Sequence, residues 1–190
     1  AYPAAYDEVI AISATDEFDK PAAFTNFGDW VSVSAPGVNI YSTVGKDSYT
    51  YMSGTSMSAP FVAGVAALIW GQFPNMTRDQ VLAQLQYTSD DLGDPGFDVY
   101  YGFGRVNAKE AVERAPSDHD VLVLNLKVSS IVRRGEVVVI NSTVLNMGKL
   151  DERSLTMQLL VNGTVVHSET ISFLARGKSS LVSCSWNTSQ

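Results

Sequence analysis

Residues 54–69 read Gly54-Thr55-Ser56-Met57-Ser58-Ala59-Pro60-Phe61-Val62-Ala63-Gly64-Val65-Ala66-Ala67-Leu68-Ile69, a passage from extended chain into helix with very little side-chain bulk. Gly54 and Thr55 let the backbone turn tightly, which puts Ser56 near the first helical turn. Unpaired N–H groups and the helix dipole at that place favour a developing negative charge. The apolar run from Phe61 to Trp70 is far short of the ~20 residues of a membrane span and contains Gly64, so it reads as a core helix rather than an anchor. The helical pattern lasts to about Phe73 and stops at Pro74.

Upstream of the run, Val9 to Ala14 is nearly continuous apolar sequence, as in a strand buried on both faces of a parallel sheet. Val31 to Ala35 alternates and stops at Pro36-Gly37, and Asn39 to Thr43 turns through Gly45-Lys46-Asp47 into Tyr49 to Met52. Downstream, Thr77 opens a helix with Gln80 three residues on, the spacing of a capping box, and the helix runs to about Tyr87. Asn107 and Glu110 repeat that spacing before a helix from Ala108 to Arg114. Between these helices, Asp90, Asp91, Asp94 and Asp98 lie in a Gly/Pro-rich loop. Its spacing fits a solvated acidic loop better than the alternating ligands of a calcium loop.

Ala115-Pro116-Ser117 ends the helical part, and the chain changes character there. Residues 1–117 carry 14 acids and 6 bases, while residues 118–190 carry 6 acids and 7 bases. An acidic first part without a basic stripe argues against nucleic acid as a partner. Beyond Asp118 the period becomes two, with strands expected over 121–128, 136–145, 155–161, 164–173 and 179–186. Asn162-Gly163 is the strongest hairpin signal, because both central residues of such a turn need positive φ. Five strands without a helix suggest an immunoglobulin-like sandwich, and fewer than the usual seven make it look cut short. Cys184 is the single cysteine, and the sequons at Asn75, Asn141, Asn162 and Asn187 would matter only on an exported chain. The N-terminus has no initiator Met and no signal segment, so Ala1 reads as a start inside a longer protein.

Five segments together resemble the subtilisin-like serine proteases, the subtilases: Tyr2 to Ile10, Ala23 to Gly28, Val33 to Gly37, the Gly54 to Pro60 run and Gly102 to Asn107, all in that family's order and spacing. The resemblance implies that residues 1–115 are the C-terminal half of an α/β catalytic domain with a doubly wound parallel sheet. It further implies that Ser56 is the acyl-forming nucleophile of peptide-bond hydrolysis, with its own N–H as one oxyanion donor and Thr55 shaping the turn. Met57 would then be an oxidation-sensitive neighbour of the nucleophile, or a filler of the core. Ala1, Tyr2, Pro3 and Ala4 align with the wall of the pocket for the side chain before the scissile bond. Pro60 is expected in the first helical turns, where its missing N–H costs little. Phe61 stands where many members have histidine, at a structural position.

Residues 119–190 resemble CARDB-type adhesion-related modules of microbial surface proteins, through Val144-Leu145-Asn146-Met147-Gly148 and the spacing to Val161-Asn162-Gly163. The expected organisation is therefore a peptidase part over 1–115, a linker over 116–118 and a β-sandwich over 119–190. The family implies an extracellular or cell-surface location, a polypeptide substrate and a surface partner for the sandwich. It implies no cofactor. A structural calcium would use carbonyls of Ala4, Tyr6 and Val9 with a carboxylate, and this chain has Ser32 at the carboxylate's position.

A serine hydroxyl becomes a nucleophile at neutral pH only when an imidazole, itself held by an acid, takes its proton. In subtilases the acid and the imidazole both precede the serine. Here His119 and His167 both follow it. His119 reads as a solvated boundary residue, and His167 faces outward if Val166 faces in. The family's asparagine oxyanion donor would fall before Ala1. The 190 residues alone are thus expected to be inactive. A reading from another class, a non-catalytic surface or adhesion protein on a protease-like scaffold, fits the same absence of a base.

Overall fold

A computed structural model describes residues 2–6, 8–128 and 132–189, and the chain forms two compact units, Ala1–Ala115 and Pro116–Gln190. In the first unit, β1 (Ala11–Thr15) pairs in parallel with β2 (Val31–Pro36). Both strands are buried almost throughout, which is why their sequences carry small and β-branched residues rather than a polar face. Residues 104–106 run beside β2: Ser34 N–H donates to the Gly104 carbonyl (2.8 Å), and Val106 N–H donates to the Ser34 carbonyl (2.9 Å). Gly104, at φ 116°, approaches so closely that a Cβ there would lie 2.2 Å from the Asp90 carbonyl oxygen.

The third extended piece does not join this sheet. β3 (Ile40–Thr43) and β4 (Tyr49–Met52) pair with each other as an antiparallel hairpin, because three successive positive-φ residues, Gly45, Lys46 and Asp47, reverse the chain between them. The hairpin delivers the chain to α1 (Thr55–Gln72), which packs on β1 and β2 and against two further helices, α2 (Arg78–Tyr87) and α3 (Ala108–Glu113). The Thr77/Gln80 capping box forms as its spacing predicts, and the Asn107 side chain accepts from Glu110 N–H at 3.0 Å. Buried Gln84 donates to the Ala111 and Arg114 carbonyls (3.1 and 2.7 Å), tying α2 to the end of α3.

α1 departs from the expected core helix. Only Ser58, Val62, Val65 and Ile69, one stripe at 4-3-4 spacing, are buried; Phe61, Leu68 and Trp70 are exposed. Pro60 also lies deeper than expected, as the sixth helical residue, so its missing N–H leaves the Ser56 carbonyl without its i+4 donor.

The second unit is all β. β5 (Val121–Lys127), β6 (Val137–Asn146) and β9 (Ser179–Asn187) form an antiparallel sheet in the order β5-β6-β9, and β7 (Glu152–Val161) pairs with β8 (Thr164–Leu174). Val138, Ile140, Val144, Val182 and Cys184 of the first sheet share one core with Leu174, and Leu155, Met157 and Ile171 pack against it. Burial raises the Cys184 thiol above its ordinary pKa, with Glu169 adding to the effect. Asn146 is fully buried and stitches this core: its amide donates to the Leu150 and Leu174 carbonyls (2.8 and 3.0 Å), and its oxygen accepts from Gly148 N–H (2.9 Å). Asn162 and Gly163 sit at φ 49° and 80°, the turn their sequence predicts. Beside that turn Leu159 pairs with His167 and Leu160 with Val165, so Val166 is an extra residue in the ladder. This bulge reverses the alternation and corrects the outward expectation: half-buried His167 shares its face with Leu155, Met157 and Leu159, the residues that pack on the core.

Candidate active site

Ser56 is the second residue of α1, where the chain leaves β4 beyond the carboxyl ends of β1 and β2. In open α/β sheets that edge is where ligands bind. The helix has 18 residues, no side-chain cap and no acidic residue in its first turn. Among the described residues, Met57 N–H donates to the Gly54 carbonyl (2.9 Å), while the N–H groups of Thr55 and Ser56 find no acceptor. Two donors at the positive end of a long helix therefore stay available beside the Ser56 hydroxyl, which is exposed.

That hydroxyl opens on a groove of about 350 Å³ between the β3–β4 hairpin and the start of α1. Ile40, Val44, Met52, Met57, Pro60 and Phe61 make its wall mostly apolar. Among the described residues, no carboxylate, imidazole or amine lines it. Thr55 is half-buried at the turn. Tyr2, Pro3 and Ala4 form a turn ahead of β1 and are not in the groove wall, and Ala1 lies outside the described residues.

The first unit contains no histidine at all. In the second unit His119 Nδ1 lies 3.0 Å from buried Glu152, within hydrogen-bond distance, so it is tied to β7 as well as being a boundary residue. The acidic loop is largely engaged in its own turns. The Asp91 side chain accepts from Gly96 N–H (2.9 Å), and that of Asp98 accepts from Tyr100 and Tyr101 N–H (2.7 and 3.0 Å). Asp90 accepts from the Asn107 amide (2.8 Å) and pairs with Arg105 (2.6 Å); these two partners hold its carboxyl below the usual range. Ser32, the position where a cation site would need a carboxylate, lies in β2 with its carbonyl accepting from Phe103 N–H (3.1 Å).

The turn is docked by contacts that the sequence does not reveal. Gly54 N–H donates to the Gly37 carbonyl (2.8 Å), Gly37 N–H to the Thr15 carbonyl (2.9 Å) and Asn39 N–H to Ser53 Oγ (2.9 Å). The Pro36-Gly37 pair signals the end of a strand and part of the family pattern. Nothing in its composition says what stands against it.

Residues 1–104 match the model of the subtilase family, and residues 119–190 match that of CARDB. A thermophilic serine proteinase of Bacillus sp. (strain AK1) is 44% identical over 110 residues, covering 58% of this chain and 26% of its own length. Subtilisin DY of Bacillus licheniformis is 44% identical over 112 residues, 59% of this chain and 40% of its own. The halolysin-like extracellular serine protease Nep of Natrialba magadii is 41% identical over 120 residues, 63% of this chain and 22% of its own. The chain thus spans less than half the length of each of these relatives.

Proposed function

The chain belongs to the subtilase family, and from that premise we propose that it carries the nucleophile of a serine endopeptidase. Ser56 attacks the scissile carbonyl, and the oxyanion is met by the Ser56 N–H, with Thr55 supporting the turn. The carrying observation is the pair of unsatisfied N–H groups at the start of an uncapped 18-residue helix, next to an exposed hydroxyl. Such donors stabilise the charge that forms in acyl transfer. The reaction requires a base, an acid and oxyanion donors, and no cofactor. The groove and the whole first unit lack an imidazole, so the base and its acid come from outside these residues, and the 190 residues alone are inactive. In subtilisin, itself a member of this family, loss of the serine or the histidine lowers turnover about 10⁶-fold.

Residues 1–115 are then the C-terminal half of the peptidase domain, in which β1 and β2 belong to a larger doubly wound sheet; residues 116–118 are a linker. Residues 119–190 are an immunoglobulin-like module, supported by two antiparallel sheets around one core. Tyr2, Pro3 and Ala4 wall a pocket for the side chain ahead of the scissile bond, apart from the β3–β4 groove whose lining does not include them. The protein works on polypeptides outside the cell, a reading supported by the name of one relative, an extracellular serine protease, and the module contacts a cell-surface partner.

The deciding experiment is fluorophosphonate labelling of the full-length protein followed by peptide mapping. Label on Ser56, lost together with peptidase activity in Ser56→Ala, is expected. A folded protein without label or cleavage means that the protease-like half is a non-catalytic scaffold of a surface protein.

A further inference from the structure

We infer that Gly37 is a positioning residue for Ser56, setting by its missing side chain how closely the first turn of α1 sits on the ends of the parallel strands; this rests on the nucleophile role proposed for Ser56. A Cβ built at Gly37 lies 2.3 Å from Ser58 Oγ, 2.7 Å from Ala14 Cβ and 3.0 Å from the Gly54 carbonyl oxygen. Gly37 is not among the positive-φ glycines, so space alone forbids a side chain there. The three neighbours enclose it from β1, from the turn and from the helix. Ala14 precedes Thr15, whose carbonyl takes the Gly37 N–H (2.9 Å), while the Gly37 carbonyl takes the N–H of Gly54 (2.8 Å), two residues before the nucleophile.

Ser58 is fully buried, two residues after the nucleophile, and its hydroxyl has no hydrogen-bond partner. Its contribution at this place is volume. A methyl on Gly37 therefore meets strand on one side and the first turn of α1 on the other. β1 is held by its pairing with β2, so the helical turn is the part that moves, and Ser56 moves with it. A displacement of about 1 Å at a reacting group lowers turnover by up to about a hundredfold without touching the substrate contacts elsewhere.

The test uses the full-length protein, with active sites counted by burst titration. Gly37→Ala is expected to lower kcat per folded molecule roughly 10- to 100-fold with KM little changed. Adding Ser58→Ala, which removes the nearest of the three contacts, is expected to recover a large part of that loss relative to Ser58→Ala alone. A kcat for Gly37→Ala within about twofold of wild type overturns the inference whatever happens to its Tm, as does a double variant with no recovery. If Gly37→Ala does not fold, the double variant decides. Folded with kcat below that of Ser58→Ala, it supports positioning; unfolded again, or equal to Ser58→Ala, it shows a role in folding only. Retained activity in Ser56→Ala would instead remove the nucleophile reading itself, so the two failures are told apart.

Discussion

The place of Ser56 at the start of a helix could be read from sequence because its signal is local: a glycine, two small polar residues and an apolar helix specify a turn within a few positions. The close packing around Gly37 could not, since it is made by atoms of Ala14, Gly54 and Ser58 that only folding brings near. His167 shows the same limit on a smaller scale. Alternation placed it outward, and one bulged residue, Val166, turned it toward the core side. Cys184 gives a test at this scale. It is buried in the core of the second unit, and burial, with Glu169 nearby, raises its thiol pKa. Thiolate is the reactive form, so both access and charge state protect it. Iodoacetamide at pH 8 should modify Cys184 in the native chain at least about tenfold more slowly than in urea; equal rates would show that the core opens readily.

At the scale of elements, helix and strand positions follow the sequence closely where period and punctuation agree. The Thr77/Gln80 box and the Asn162-Gly163 turn form as their chemistry requires. What periodicity could not settle was how many faces of α1 are covered. A helix apolar all round predicts burial all round, yet only the Ser58, Val62, Val65 and Ile69 stripe is buried here. The Gly45-Lys46-Asp47 turn between residues 39–43 and 49–52 is legible in sequence, and the two pieces pair across it as a hairpin. The 162–163 turn makes a clean measurement. Gly163 stands at φ 80°, with nothing within 4 Å of where its Cβ would be, so alanine there costs conformation and no clash. A side chain in the left-handed region costs about 1 kcal/mol. Urea unfolding of Gly163→Ala, in a Trp30→Phe/Trp70→Phe background where Trp186 alone reports, should show that loss; an unchanged midpoint would mean the turn relaxes to another type.

At the scale of the molecule, each unit needs distant segments tied together, and in the first unit Arg105 does much of this. Its guanidinium pairs with Asp19 and with Asp90, while its backbone exchanges hydrogen bonds with Asp90 (2.8 and 2.9 Å) beside β2. Segments near residues 19, 90 and 105 thus meet at one side chain. The Asn107 amide and then Arg105 depress the Asp90 carboxyl, so the sign of its pH effect is fixed. The folded state binds the proton more weakly than the unfolded chain. This stabilisation is fully present above the unfolded carboxylate pKa, about 3.9, and is lost as pH falls through the lower folded value. Asp90 is more than a third exposed (38%), so solvent screening holds its contribution to about 0.5–1 kcal/mol. Asp90→Asn should therefore lower the Tm of the first unit by a few degrees at pH 7 and flatten its fall between about pH 4 and 2, where the charged partner is otherwise titrated away. Calorimetry across that range checks both. A variant equal to wild type at pH 7 but as steep in acid would place the acid-sensitive tie at another carboxylate.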